Sequence, residues 1–434
     1  MALAPDTESI FGPDSVFGRA VAKISRRGPR TPQKDKAPLA VETEQQFRSE
    51  LDAIASQTAS QTADAYKGHH IVHGVSGAGK TVRLLHHVQR LAAKRTEQNT
   101  APILVLCYNE PLAVWLQSQF ARRGLARHVI ARHFHRWCRE QLMAFHLPPP
   151  PKEMPPSAQI KDLVQRVIHA LSTGAIPAGQ YAAVLVDEAH DFEAPWLSML
   201  AQLPASPDNH LVLYYDDAQS LLKRKRTERI RFDQHGIRTD SIQRLTVNRR
   251  NTEPAFNAIM RMAGALVEPI EADANGIPRL QPQSSGRAGP AVLFFPMSNL
   301  REQGRKAVEL LQQAHSLEGI PWRKMAVLCD NRFQMDVCDG ALRYQRVPRQ
   351  LRRGAGDYDP YSDTVKIMSL QACAGLEFEV VVIVDSGEPP SSELEIEEKQ
   401  RQLYIAATRA RNKLYVIGIG KPCVEPAPQP DEAD

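Results

Sequence analysis

From about residue 70 onward, short apolar runs alternate with helical patterns along the chain. "HIVHG" (70–74) leads into a glycine-rich stretch, after which Leu84, Leu85, Val88, Leu91 and Ala92 recur at the spacing of one helix face. "PILVLCYN" (102–109), "AAVLVDEAHD" (182–191) and "HLVLYYDDAQ" (210–219) are each a Leu- or Val-rich run ending in polar residues. A second set follows in "PAVLFFP" (290–296), "KMAVLCD" (324–330), "EVVVIVDSG" (379–387) and "KLYVIGIG" (413–420), with helical stretches such as "NLREQGRKAVELLQQAH" (299–315) between them. Continuous rather than alternating apolar positions predict strands buried on both faces, and the intervening helices predict parallel crossovers. The expectation is an α/β fold of two parallel-sheet lobes meeting near residues 240–245, with a ligand in the cleft. Polar residues gather at the strand ends, where ligands bind in open α/β sheets.

The two ends of the chain read differently. "KISRRGPRTPQKDKAP" (23–38) is polar, basic and without periodicity, so residues 1–40 are expected to form a flexible arm, either a solvated tail or a polyanion contact. Residues 421–434, "KPCVEPAPQPDEAD", are acidic and Pro-rich and are expected to be a disordered tail. The 434 residues are enough for two cores, and 42% hydrophobic with 24% charged residues is ordinary for a soluble globular protein. A net charge of +5 permits a polyanionic partner without demanding one. Six cysteines without a CxxC pair predict buried free thiols and a cytoplasmic protein. No apolar run reaches membrane-spanning length, so no membrane partner is expected.

Candidate chemistry begins in "HGVSGAGKTVRLL" (73–85). Gly74, Ser76, Gly77, Ala78, Gly79, Lys80 and Thr81 stand in phosphate-loop spacing between an apolar strand and an amphipathic helix. Backbone N–H groups there can cradle phosphates, Lys80 can reach the β/γ oxygens of ATP, and Thr81 can ligate Mg²⁺. In "VLVDEAHD", Asp187 suits Mg²⁺ coordination and Glu188 suits polarising the attacking water. Alone, that pair would read as helix-capping acids after a core strand. With the loop a hundred residues upstream, it indicates hydrolysis.

Further stretches resemble superfamily 1 DNA helicases of the UvrD/Rep/PcrA type, in that family's order from about residue 70 to 418. "LCYNEPLAVWL" (106–116) and "ARHFHRWC" (131–138) are similar to motif Ia and the stretch after it, and "YYDDAQSL" (214–221) to motif III. "LTVNRRNT" (245–252) is similar to motif IV, "VKIMSLQACAGLEFEVVVIV" (365–384) to motif V, and "RQLYIAATRARNKLYVI" (401–417) to motif VI. The resemblance implies two RecA-like domains, 41–242 and 243–420, with nucleotide in the interdomain cleft. It implies ATP-dependent movement on single-stranded DNA with 3′-to-5′ polarity, of the kind used in DNA repair. Gln219 would be the sensor glutamine, Arg250 the γ-phosphate arginine and Arg409 the arginine finger; Arg249 and Glu377 would line the nucleotide. Tyr108, Asn109, His133, Phe134, His135 and Gln371 would contact the strand, while Trp115 and Trp137 read as core. A different reading, a regulatory ATPase module controlling a partner such as a nuclease, fits the same motifs.

The chain also departs from that pattern. Gln371 and Ala374 replace a histidine and a lysine in motif V, and Arg249 replaces the adenine-stacking tyrosine of motif IV. The adenine-reading glutamine is Gln57 or Gln61, neither in the usual context. The gaps that hold accessory subdomains in full-size relatives are short here, so duplex-handling parts are expected to be reduced.

Overall fold

The computed structural model describes residues 67–94, 101–219, 232–237, 241–268, 279–354, 356–388 and 391–419. The two termini and Gln57 and Gln61 lie outside them, so the expectations placed there have no structural counterpart.

The first lobe begins with β1 (His69–Gly74), α1 (Lys80–Ala93), β2 (Ile103–Cys107), α2 (Glu110–Arg122), β3 (Val129–His133), α3 (Phe134–Ala144) and α4 (Pro156–Ser172). It continues through β4 (Ala183–Val186), α5 (Ala194–Leu200), β5 (Leu211–Tyr215) and β6 (Ile242–Leu245). Its six strands lie in the order β3-β2-β4-β5-β1-β6, and every pairing is parallel. A parallel sheet needs helical crossovers that cover both faces, which is why every position of the central strands β2, β4 and β5 is apolar or aromatic. Successive residues of β2 show this directly. Ile103, Val105 and Cys107 pack on one face with Leu84, Leu112 and Phe120, whereas Leu104 and Leu106 pack on the other with Trp137, Val167 and Leu197.

The crossover to the second lobe falls a few residues beyond the expected boundary. Ile242–Leu245 pairs with Ile71–Gly74 of β1, so a division at 242/243 would cut through an edge strand of the first sheet. The short, polar segment "IQRL" gave no apolar run to mark it as a strand.

After β7 (Val247–Asn248), which pairs with β8 (Gln283–Ser284), come α6 (Glu253–Ala263), β9 (Leu293–Met297), α7 (Leu300–Glu318) and β10 (Met325–Cys329). The lobe closes with α8 (Arg332–Tyr344), β11 (Arg349–Leu351), β12 (Val365–Ser369), β13 (Phe378–Val384), α9 (Glu393–Ala407) and β14 (Ala410–Ile419). Its sheet order is β11-β12-β10-β13-β14-β9, again wholly parallel. Val380, Val382 and Val384 of β13 face one core and Val381 and Ile383 the other. The chain is thus an α/β protein built on two large parallel sheets. Among the described residues no helix is long and apolar enough to cross a membrane. The five described cysteines are free and buried, as the sequence suggested.

Candidate functional site

The carboxyl ends of β1, β2, β4, β5 and β6 deliver the candidate residues to one edge of the first sheet. The phosphate loop follows β1, and α1 starts at Lys80 behind Gly79, which adopts φ 86°. Gly77, at φ 70°, is where the loop meets the second lobe: a Cβ there would lie 2.7 Å from Asn248 Oδ1 and 3.0 Å from Arg250 Cβ. Only glycine permits both that conformation and that approach. Gly77 O also accepts a hydrogen bond from the Arg249 N–H at 3.0 Å. Asn248 is held rigid, because its Oδ1 accepts the Arg250 and Asn251 N–H groups and its amide donates to Asn251 Oδ1 at 2.7 Å.

Lys80 is buried, and its Nζ donates to Gly74 O at 2.8 Å, Val75 O at 3.2 Å and Asp216 Oδ2 at 3.1 Å. Thr81 Oγ1 donates to Asp187 Oδ2 at 2.9 Å, which brings together the two side chains expected at Mg²⁺. Asp187 is itself placed by its N–H bond to Leu106 O at the end of β2. Glu188 sits at φ 52°, a left-handed conformation that a side-chain-bearing residue adopts at a cost of about 1–3 kcal/mol. Its Oε2 is buried without a hydrogen-bond partner among the described residues, and His190 Nε2 stands 3.5 Å away. The Asp216 N–H donates to His190 Nδ1 at 3.1 Å, clipping the ends of β4 and β5 together. Burial and the charge of Glu188 push the Asp187 carboxyl up. For Glu188 burial works the same way, but His190, Lys80, Arg409 and Arg250 outweigh it and draw the carboxyl down. Two adjacent buried carboxylates, one bonded to Thr81 and one with an orphaned oxygen, suit a divalent cation and a water respectively.

Arg409, at the amino end of β14, crosses to the first lobe. Although 1% exposed, it places Nη2 2.5 Å from Gln219 Oε1 and 3.5 Å from Ser76 Oγ, while Nε donates to Ile405 O at 2.9 Å. Arg250 points instead to its own lobe, donating from Nε to Glu377 Oε2 at 3.1 Å and from Nη1 to Thr408 O at 3.3 Å. Arg411 holds the other Glu377 oxygen at 2.7 Å. Burial would raise the Glu377 carboxyl, but Arg411 and Arg250 prevail and hold it down at about 2.

Residues 349–421 match the UvrD-like helicase C-terminal domain. That segment contains Gln371, just after β12, Glu377, just before β13, and Arg409, just before β14. No curated protein matches the chain by sequence. Among solved structures, the C-terminal domain of a protein described as a possible DNA helicase from Lactobacillus plantarum aligns at 17% identity and TM-score 0.28, over 39% of this chain and 87% of that one. An arterivirus nonstructural protein 10 helicase aligns at 13% identity and TM-score 0.39, and its complex with DNA at 13% and 0.38. Each covers 81% of this chain, which spans only 59% and 60% of theirs.

The residues expected at a nucleic-acid strand separate into distinct groups. Phe134 is a correction: it is fully buried, stacked on Trp196 at 4.8 Å, and belongs to the first lobe's core. As the first residue of α3 it turns inward, while its neighbours His133 and His135 remain half-buried. Tyr108 is also half-buried, stacked on Trp196 at 6.2 Å and edge-on to His135 at 5.5 Å. Burial lowers His133 and His135 to about 4, so both rings are neutral at pH 7 and offer stacking faces rather than cations. The Asn109 amide donates across the lobes to Ala372 O at 3.1 Å and Ala374 O at 2.6 Å, a junction contact rather than an exposed donor. Gln371 is exposed. Trp137 is core, its Nε1–H satisfied by Tyr181 Oη at 3.0 Å, and Trp115 packs partly into the opposite face.

Sequence reading gave no role to Asp216, His190, Asn248, Asn251 or Tyr361. Asp216, His190, Asn248 and Asn251 stood inside quoted motifs, so a signal existed. Tyr361 had none, yet its hydroxyl donates to Ser118 Oγ on α2 at 2.6 Å and its ring lies 3.8 Å under the Arg122 guanidinium, giving the lobes a second point of contact.

Proposed function

We propose that this chain is an ATP-dependent DNA translocase or helicase that moves on single-stranded DNA with 3′-to-5′ polarity. Its two RecA-like domains would hold the nucleotide between them. The observation that carries the reading is the Arg409 guanidinium seated against Gln219 and Ser76. A cation from one lobe beside the phosphate loop of the other lets bound phosphate bias lobe closure.

In this reading the loop N–H groups and Lys80 bind the triphosphate, and Thr81 and Asp187 would hold Mg²⁺. That ion, when bound, supplies neutralisation of phosphate charge. Glu188 orients the attacking water through its orphaned Oε2, with His190 behind it. Arg409, supported by Gln219, stabilises charge developing at the γ-phosphate. Arg250 must leave Glu377 to reach that phosphate, and the exposed Arg249 guanidinium offers a flat face to the base. The strand would cross the edge where Tyr108, His133, His135 and Gln371 lie.

The test is ATP turnover with no nucleic acid, with single-stranded DNA, with duplex and with RNA. Stimulation by single-stranded DNA above the other three is expected. Turnover indifferent to DNA would defeat the reading and favour a nucleotide-driven module acting on a protein partner such as a nuclease.

A further inference from the structure

Asp216 closes the carboxyl end of β5 and is 2% exposed. Its Oδ2 accepts from Lys80 Nζ and from Gln219 Nε2, its Oδ1 accepts the Ala218 N–H at 3.2 Å, and its own N–H donates to His190. Gln219 in turn accepts Arg409 Nη2, which also reaches Ser76. One carboxylate therefore collects the phosphate-loop lysine directly and, through one glutamine, the arginine from the other lobe. These two cations are the ones that the proposed function assigns to the triphosphate.

We propose that Asp216 is an internal stand-in for the nucleotide's phosphate, which holds the lobes together before ATP binds and is exchanged for ATP when it does. The inference rests on the nucleotide reading above. Two buried cations repel unless carboxylates offset them; Glu188 lies in the field of both, but Asp216 is the carboxylate that bonds Lys80 directly and reaches Arg409 through Gln219. A triphosphate entering beside Asp216 brings like charge to it and competes for Lys80. ATP binding therefore breaks one charge-assisted contact for each that it makes, and part of its affinity is spent on the exchange. Asp216 is a positioning residue: it touches Lys80 and Gln219, which touch the phosphate.

The test uses the full chain with Asp216→Asn and Asp216→Ala. In the asparagine variant one oxygen becomes an NH₂ that only donates, so the charge is lost and Lys80 and the Ala218 N–H can no longer both be accepted, while side-chain volume is kept. Two readouts are taken: affinity for the non-hydrolysable analogue AMP-PNP, and energy transfer between dyes on Cys residues replacing Met143 and Leu317. Those positions are 68% and 75% exposed, one on each lobe. The five described cysteines are buried, and Cys423 is changed to Ser so that it takes no dye.

Both variants should bind AMP-PNP more tightly, by about tenfold if one such contact of about 1.4 kcal/mol is no longer broken. Both should show weaker energy transfer without nucleotide, restored when the analogue is added. A residue that merely supported the fold would lose affinity instead. Unchanged or weaker AMP-PNP binding by both variants, with the wild type binding normally, overturns this inference alone. Failure of the wild type to bind AMP-PNP overturns the nucleotide reading and this inference with it.

Discussion

Replacing Gly375 with alanine should open the junction between the lobes without unfolding either one. Gly375 lies in the turn before β13 at φ 74°, and a Cβ built on it would sit 2.5 Å from Leu112 Cδ2 and 3.2 Å from its Cδ1 and Cγ. Carbon atoms prefer about 3.5–4.0 Å, so roughly an ångström must be found. Leu112 lies on the first turn of α2, fully buried in the first lobe's core, and cannot swing out into solvent. The left-handed conformation adds about 1–2 kcal/mol for an alanine, and overpacking adds about 1–3 kcal/mol. Parting the lobes there instead gives up two Asn109 hydrogen bonds, at about 0.5–1.5 kcal/mol each. The left-handed cost applies in either case, and the two bonds together are worth about as much as the overpacking, about 1–3 kcal/mol. The strain is expected at the junction because Leu112 is held in a core whereas Asn109 bonds only across the lobes. The expected result is lower energy transfer between the lobe-specific dyes and a reduced DNA-stimulated ATP turnover, with the circular-dichroism melting curve little changed. Adding Leu112→Ala should recover part of the energy transfer, since the two changes are coupled through one contact. Wild-type energy transfer and turnover in Gly375→Ala, or loss of the whole fold, would refute the reasoning.

Other expectations concern the site and the cores. Lys80→Ala should abolish both nucleotide binding and hydrolysis, whereas Glu188→Gln should keep binding while turnover falls by orders of magnitude; equal loss of binding in both, read by titration with labelled ATP, would contradict these separate roles. Phe134→Ala should lower unfolding free energy in urea by about 3–5 kcal/mol, the usual cost of removing a buried aromatic ring, and a loss of DNA affinity at unchanged stability would return Phe134 to the proposed strand-binding surface. Lys399 Nζ lies 2.5 Å from Asp330 and 2.6 Å from Asp385, and burial opposes but does not overcome the mutual shifts, which depress the Asp330 carboxyl and raise Lys399. The Asp330 contribution is present above its unfolded value near pH 4 and lost as pH falls through its lower folded value; the Lys399 contribution is lost only on the alkaline side, above about pH 10. Lys399→Met should therefore cost about 3–5 kcal/mol at pH 7 and progressively less below about pH 4, and a pH-independent difference in urea unfolding would count against the triad.

The linear chain already determined the fold class and much of the local chemistry. Strands apolar at every position can only be satisfied with cover on both faces, and that requirement is written in sequence. The glycine spacing and Asp187-Glu188 are likewise local patterns, and the fold needed only to carry them to the same sheet edge. The strands β3, β6, β11 and β12 were less legible, being short or bearing polar residues such as Arg132, Gln243 and Lys366, whose placement depends on partners far along the chain. Tertiary structure alone decided which way side chains turn at element ends. Phe134 and His133 are adjacent, yet one fills a core and the other borders the surface, because the strand-to-helix turn between them is set by packing on Trp196 and Phe192. It alone decided that Arg409 reaches Gln219 while Arg250 rests on Glu377, since a charge chooses its partner by distance and burial rather than by motif. The pairing of Lys80 with Asp216, 136 residues apart, belongs to the same class: neither residue specifies the other until β1 and β5 lie side by side.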